Sequence, residues 1–320
     1  MTLKYIARKA GWALLTLWFI LSVNFFLFRI MPGDPVALLA RSQRLSPEAL
    51  DRQRQLFGLD QPLPQQYLTY LRETFSGNLG VSILSGTDVV SMVAARMWPT
   101  ILLVGIGTLI AAAIGVLLGM RAGWRRGGGV DNGSMYSSLL LYSTPEGWLG
   151  MMLLILFAGA LGWFPAGGYS STESGGGGGT GDVASHLALP VLTLALGYVG
   201  QFFIVMRASM IDVKSQDYIR LARAKGLTDP AVRRHHAAPN ALLPTITLIV
   251  LSFGFVLGGA IVIETVFSWP GLGLLTYQAI QTLDYPVLQA VFLLSSAAVI
   301  VANLIADIAY GLLDPRIEQV

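Results

Sequence analysis

Five stretches of this chain, Gly11 to Phe28, Ile101 to Met120, Leu187 to Met206, Leu242 to Ile263 and Val287 to Ala306, contain no Asp, Glu, Lys or Arg. A helix rises about 1.5 Å per residue, so roughly 20 apolar residues cross the ~30 Å hydrocarbon layer of a bilayer. There every backbone N–H and C=O must be satisfied internally, and runs of this kind predict membrane-spanning helices. Ser134 to Leu161 is a sixth candidate, long enough to cross but interrupted by Pro145 and Glu146. The backbone donor that proline lacks predicts a kink there. With 54% hydrophobic and 12% charged residues, the 320-residue chain lies outside the range of soluble domains. It has no cysteine, which excludes disulfides, thiolate catalysis and cysteine-ligated metals.

The first span follows Lys4, Arg8 and Lys9 and leads into RIMPGDP without a small-residue cleavage site, so it reads as an uncleaved anchor. Lys and Arg near span ends are retained on the cytoplasmic side. With the N-terminus inside, 14 of the 21 basic residues fall on that side. The outer loops Gly162 to His186 and Phe267 to Pro286 then contain none. Both termini are placed on the cytoplasmic side of the membrane.

The outer segment between the first two spans is expected to be helical. Ser46 is a candidate N-cap with Pro47 at the first helical position, and Gly58 is placed to end that helix. A second helix is predicted from about Pro64 to Phe75, with Leu68 and Leu71 on one face, as part of a small cap over the outer mouth. Gly175 to Gly179 read as a flexible outer tether. No G-x-x-x-x-G-K-[ST] occurs, so ATP is not bound by that means. No repeat of fixed period stands out.

Between the fourth and fifth spans stands DYIRLARAKGL, Asp217 to Leu227. At about 100° per residue, Tyr218, Ile219, Leu221, Ala222 and Gly226 share one half of the wheel, while Arg220, Arg223 and Ala224 share the other. This predicts a short amphipathic helix, a bend at Gly226 after Lys225, and a second helix capped by Thr228 or Asp229 with Pro230 at its start. On charge alone the loop also suits a solvated basic surface that touches anionic lipid.

ARAKGL, followed by Pro239 and NALLP, resembles the cytoplasmic EAA loop of ABC importer permeases. Ala222 and Gly226 match that pattern, whereas Arg220 stands where the family commonly has Glu and Leu221 replaces its first Ala. MPGDP (31–35), FGLDQPLPQQYLTYL (57–71), GNLGVS (77–82), LGWFPAGG (161–168), ETVFSWPGLG (264–273) and LDPRI (313–317) resemble the same family in the same order. Asn78 departs from an expected Asp, and the glycine-rich insertion is a second departure.

The resemblance implies an all-α integral membrane protein, with six transmembrane helices of the type I importer permease fold and a small helical extracytoplasmic segment between helices 1 and 2. The corresponding division is 1–30 for the N-terminus and first helix, 31–97 for the outer segment, 98–312 for the permease domain with a coupling loop at 208–241, and 313–320 for the tail. The chain would form half of a translocation pathway for short peptides. Its implied partners are a paralogous permease in a heterodimer, two ABC ATPase subunits, an extracytoplasmic substrate-binding protein and the lipid bilayer, with no nucleic acid. ATP and Mg would be bound by the ATPases, and this chain would bind no cofactor or metal and catalyse no reaction. Asp217, Tyr218, Arg220, Leu221, Ala222, Arg223, Ala224, Lys225, Gly226 and Leu227 would meet the ATPase. Tyr218, Ala222 and Gly226 are expected to make the close contact, and Arg220, Arg223 and Lys225 to set the docking angle.

Charges within spans usually face a cavity or a partner. Glu146, after Pro145, is a candidate for the translocation path, facing a substrate ammonium. Glu264 and Asp307 read as interfacial or helix-end residues. His235 and His236 are adjacent, so they point apart on a helix and make a poor metal pair. Competing readings are an importer of nickel chelates or oligosaccharides in the same family and an ion-coupled secondary transporter using Glu146 and Asp307. An intramembrane hydrolase would need a facing base, and His186 is the only histidine near a span.

Overall fold

The computed structural model describes residues 3–30, 61–171, 179–254 and 260–313. The expected helix bounded by Ser46 and Gly58, the glycines 175–178, the MPGDP and LDPRI motifs apart from Leu313, and the Asp307 side chain lie outside the described residues. Among the described residues, five helices are long and apolar enough to cross a membrane, and six crossings result when the bent pair Gly129–Ser143 and Glu146–Ala160 counts as one span. The crossings begin with α1 (Leu3–Ile30). On the outer side α2 (Leu63–Phe75) follows. Next comes α3 (Val89–Trp124), capped by the Asp88 carboxylate, which accepts from the Ser91 N–H at 2.8 Å. After it stand α4 (Gly129–Ser143) and α5 (Glu146–Leu153), the latter continued by a π-helical segment, Leu154–Ala160. The chain proceeds through α6 (Thr180–Lys214), the short α7 (Asp217–Ala224) and α8 (Asp229–Val232), a π turn at Arg233–Ala237, and α9 (Ala238–Ala241). It closes with α10 (Leu243–Gly254), α11 (Ile261–Val266), α12 (Leu272–Thr282) and α13 (Tyr285–Leu313).

The core is the pair α3 and α6. Gly107, Ala111, Gly115, Gly119 and Gly123 recur every four residues along one face of α3. They meet Leu194, Phe202, Phe203, Met206 and Met210 of α6 so closely that a Cβ on Gly119 would lie 2.7 Å from the Phe203 carbonyl oxygen. One on Gly123 would lie 2.7 Å from that of Arg207. Small residues permit such backbone approach in lipid, where helix association rests on van der Waals packing. The paired residue numbers rise together, so the helices run in the same direction. The chain must therefore return across the layer between Trp124 and Thr180, and α4 and α5 supply that crossing.

The expected kink at Pro145 is a 100° break between α4 and the α5 segment. Close packing fixes this angle. A Cβ on Gly200 would stand 2.6 Å from the Ser138 carbonyl oxygen, and one on Gly150 would stand 3.2 Å from the Phe267 ring. The boundary placed between residues 97 and 98 falls inside α3. That helix has 36 residues, about 54 Å of rise, and so extends beyond the hydrocarbon. The outer loop expected at Phe267 to Pro286 contains α12, and the fifth apolar run is described as α10 and α11 rather than as one continuous helix.

Glu264 is fully buried, which corrects its reading as an interfacial or helix-end residue. Its carboxylate accepts from Thr100 Oγ1 at 2.9 Å and from the Leu274 N–H at 3.0 Å. Trp269 Nε1 donates to the Pro99 carbonyl at 2.9 Å, so the α11–α12 hairpin is pinned to the outer part of α3. The face of α2 is also corrected. Leu68 is exposed, and the helix docks through Tyr67 and Tyr70, each 5.4 Å from Phe25 of α1 between ring centroids.

Gly119→Ala forces apart two backbones and is expected to destabilise by about 1–3 kcal/mol. Gly105→Ala lies in the same helix at ordinary contact distance from Phe253 and should gain up to about 1 kcal/mol from helix propensity. Thermal unfolding midpoints of the two variants in detergent should move in opposite directions.

Candidate functional site

Beyond Met206, α6 continues for two more turns, and the chain then folds into the compact α7–α9 loop. Gln216 occupies the N-cap position of α7, Asp217 lies in its first turn and Arg223 in its last, both favourable to the helix dipole. The helix ends where Gly226 adopts φ +81°, a left-handed conformation that suits glycine. There the Gly226 N–H donates to the Arg223 carbonyl at 2.9 Å. Thr228 takes the N-cap position of α8 without a side-chain hydrogen bond, with Pro230 close behind. The expected helix, glycine bend and second helix are all present.

The faces of α7 divide differently from the helical wheel. Ile219 and Ala222 are buried in a cluster with Trp124, Met206, Met210, Val232, Ala237, Ala238 and Ala241. Ala222 therefore holds the loop to its own chain, which corrects its assignment to the close contact with a partner. Tyr218 and Leu221, one turn apart on α7, form an exposed apolar strip, 42% and 56% accessible, and Leu227 beyond the bend is 42% accessible. Arg220, Ala224, Lys225 and Gly226 are exposed around it. Partial burial raises the Tyr218 phenol pKa, which keeps it neutral. The Arg220–Asp217 pair at 3.2 Å is solvent-exposed and contributes little to stability.

Trp124, the last residue of α3, joins these parts. Its Nε1–H donates to Asp229 Oδ2 at 2.7 Å, and its carbonyl accepts from Lys214 Nζ at 2.6 Å. The Arg223 guanidinium lies 5.2 Å from the indole centroid and donates to Asp229 Oδ1 at 3.2 Å. Lys214 Nζ also lies 5.5 Å from the ring. Such cation–π contacts add to the hydrogen bonds. Arg223 is thus engaged within the loop, whereas Arg220, paired only with the neighbouring Asp217, and Lys225, just past the end of α7, are solvent-exposed. Arg207 grips Asp131 through Nη2 at 2.9 Å and Nε, and Asp131 also accepts from the Gly127 N–H at 2.8 Å. The ends of α3 and α6, the start of α4 and the α7–α8 loop are thereby one packed unit. Sequence reasoning missed Trp124. A tryptophan among arginines at a span end is the usual mark of a membrane interface, and its partner is 105 residues away.

Glu146 occupies a second location, at the 100° break. It starts α5 after Pro145 and is half-buried beside Gly197, near the middle of α6, with its Cγ 3.5 Å from where a Cβ on that glycine would stand. Pro145 is exposed. Among the described residues, Glu146 forms no ion pair. The structure does not bring Glu146 and the α7 loop together.

Residues 115–319 match the family of binding-protein-dependent transport system inner membrane components, and residues 2–102 match the N-terminal domain of such membrane components. Among curated relatives, a di/tripeptide transport system permease protein of Pseudomonas aeruginosa is 37% identical over 99% of both chains. A glutathione transport system permease protein of Escherichia coli is 37% identical over 99% of both. A probable peptide ABC transporter permease protein of Sinorhizobium fredii is 38% identical over 92% of both.

Trp124→Phe keeps the ring but removes the donor to a charged acceptor, a loss of about 1.5–3 kcal/mol. Hydrogen exchange of the amides from 217 to 232 should speed up by at least about tenfold, whereas Arg220→Ala should leave them unchanged.

Proposed function

The chain belongs to the binding-protein-dependent transport system inner membrane components, and from that membership we propose that it imports short peptides, with α7 as its power-receiving contact. It is a multi-pass, non-catalytic permease component of an ABC importer, and the family works with ATPase subunits and a substrate-binding protein. The proposed assembly pairs this chain with a paralogous permease and two ATPases that bind ATP and Mg. Its N- and C-termini lie in the cytoplasm, beneath a bacterial inner membrane. Peptide as substrate follows the peptide, di/tripeptide and glutathione transport of the relatives.

The observation that carries the coupling role is the two-sidedness of α7. Ile219 and Ala222 anchor it to the ends of α3 and α6, while Tyr218, Leu221 and Leu227 are exposed, as are Arg220 and Lys225. A groove on a partner that accepts the apolar strip would grip a helix firmly joined to two spans. Closure of the ATPases then displaces α7, and the tight α3–α6 pair moves with it as one body between outward- and inward-open states. Energy arrives as a differential contact made in one state and not in the other. Asp217 and Gly226 set the two ends of the gripped segment, and Ala224 allows close approach beside them.

Leu221→Asp places a charge in the strip without touching the buried cluster. In the assembled transporter it should lower both ATPase co-purification and ATP-driven uptake by at least about tenfold, because an unpaired buried charge at an interface costs several kcal/mol. Gly226→Trp should act likewise by reshaping the bend. Uptake at the parent rate by both variants, inserted normally, would remove the lever.

Glu146, beside the exposed Pro145, is the proposed path residue that faces a peptide's ammonium, since a carboxylate at this depth needs a cationic or wet partner. Glu146→Gln should reduce uptake of a free-amino dipeptide roughly tenfold relative to its N-acetylated form. Equal effects on the two would exclude that role.

A further inference from the structure

An open groove of about 660 Å³ runs between the first turns of α1 and the late turns of α13, lined by Arg8, Lys9, Trp12, Thr16, Asn303 and Leu304 among others. Arg8 stands 21 residues before Arg29 on α1, about 32 Å along the helix, so the two arginines lie at opposite faces of the bilayer. Asn303 lies 18 residues into α13, about 27 Å from its start. Both walls of the groove therefore reach the same headgroup region.

The chemistry changes with depth in an ordered way. Two cations come first, then the exposed Trp12 indole, then Asn303 and Thr16, with Ile300 one turn deeper on α13 as the aliphatic part of the wall. Among the described lining residues there is no acidic group. Arg8 and Lys9 also interact within the protein, and their role here rests on charge and depth. The Asn303 amide donates to the Val299 carbonyl at 2.9 Å, which leaves its oxygen as an acceptor for a hydroxyl. Basic pockets between transmembrane helices at headgroup level are suited to anionic lipids, and tryptophan favours that same depth.

We propose that this groove holds one anionic phospholipid, with its phosphate against Arg8 and Lys9, its glycerol region beside Trp12 and Asn303, and an acyl chain along Ile300. The lipid would wedge α1 against α13, on a side of the molecule that contains none of the α7 contacts. The site is independent of the coupling role, and neither depends on the other.

The test is native mass spectrometry of the full-length chain in detergent, titrated with phosphatidylglycerol or phosphatidylcholine of equal chain length. Phosphatidylglycerol should bind roughly tenfold more tightly. Arg8→Gln/Lys9→Gln should bind the two lipids alike, and the charge-preserving Arg8→Lys/Lys9→Arg should keep the preference. Glycerol phosphate without acyl chains should not displace the lipid at equal concentration. Equal binding of both lipids by the parent chain would overturn the proposal, as would a preference that survives Arg8→Gln/Lys9→Gln. Displacement by glycerol phosphate would also overturn it, because the ligand would then be a soluble phosphate.

Discussion

The α3 and α6 backbones nearly touch, and that proximity sets the position of everything on the cytoplasmic side. In lipid there is no hydrophobic gain from bringing two apolar helices together, so close packing must hold them. Glycine at 115, 119 and 123 permits it, and the four-residue repeat keeps the glycines on one line of the helix. A single register results. In that register Trp124 arrives level with Met210 and Lys214, and the loop that follows Lys214 finds an indole already in place. A different register would leave Asp229 without its donor and Ile219 without its pocket.

The outer end follows the same logic with polar groups. Thr100 and Glu264 are both buried, and the carboxylate is held by hydroxyl and backbone donors rather than by a cation. A buried group of this kind is tolerated only when its hydrogen bonds are filled. Here filling them fixes the α11–α12 hairpin to α3. The Asp284 carboxylate does similar work nearby, accepting from Ser82 Oγ and from the Ile83 N–H. Both ends of α3 are thus tied by side chains distant in sequence, while its middle is tied by the absence of side chains.

What could be read from the sequence was whatever a bilayer or a short helix demands locally. Uncharged runs gave the crossings because lipid leaves the backbone no alternative. Pro145 marked the break, but its angle comes from Gly200 against Ser138 and Gly150 against Phe267, which are tertiary contacts. The short helix, the Gly226 bend and Pro230 were visible because caps and left-handed glycines are local signals. The orientation of α7 was not visible. Its apolar residues fall in two i, i+3 pairs, Tyr218 with Leu221 and Ile219 with Ala222, and a wheel alone does not say which pair turns inward. The cluster of Trp124, Met206 and Met210 makes that choice by burying Ile219 and Ala222, while the Arg207–Asp131 pair, 76 residues apart in the chain, ties α6 to the start of α4 beside it.

The π turn at Arg233–Ala237 gives the loop a counting property. Val232 and Ala237 are both buried in the cluster, five residues apart, whereas an ordinary α-helix would bring round the residue four along. The wider turn absorbs one additional residue, so Ala237, Ala238 and Ala241 all point to α6 while Pro239 and Asn240 look outward. Chain length between the glycine bend and the next crossing is therefore a fixed quantity. One residue more or fewer would rotate all that follows by about 100°, so here a deletion is a graver lesion than most exchanges of one amino acid for another.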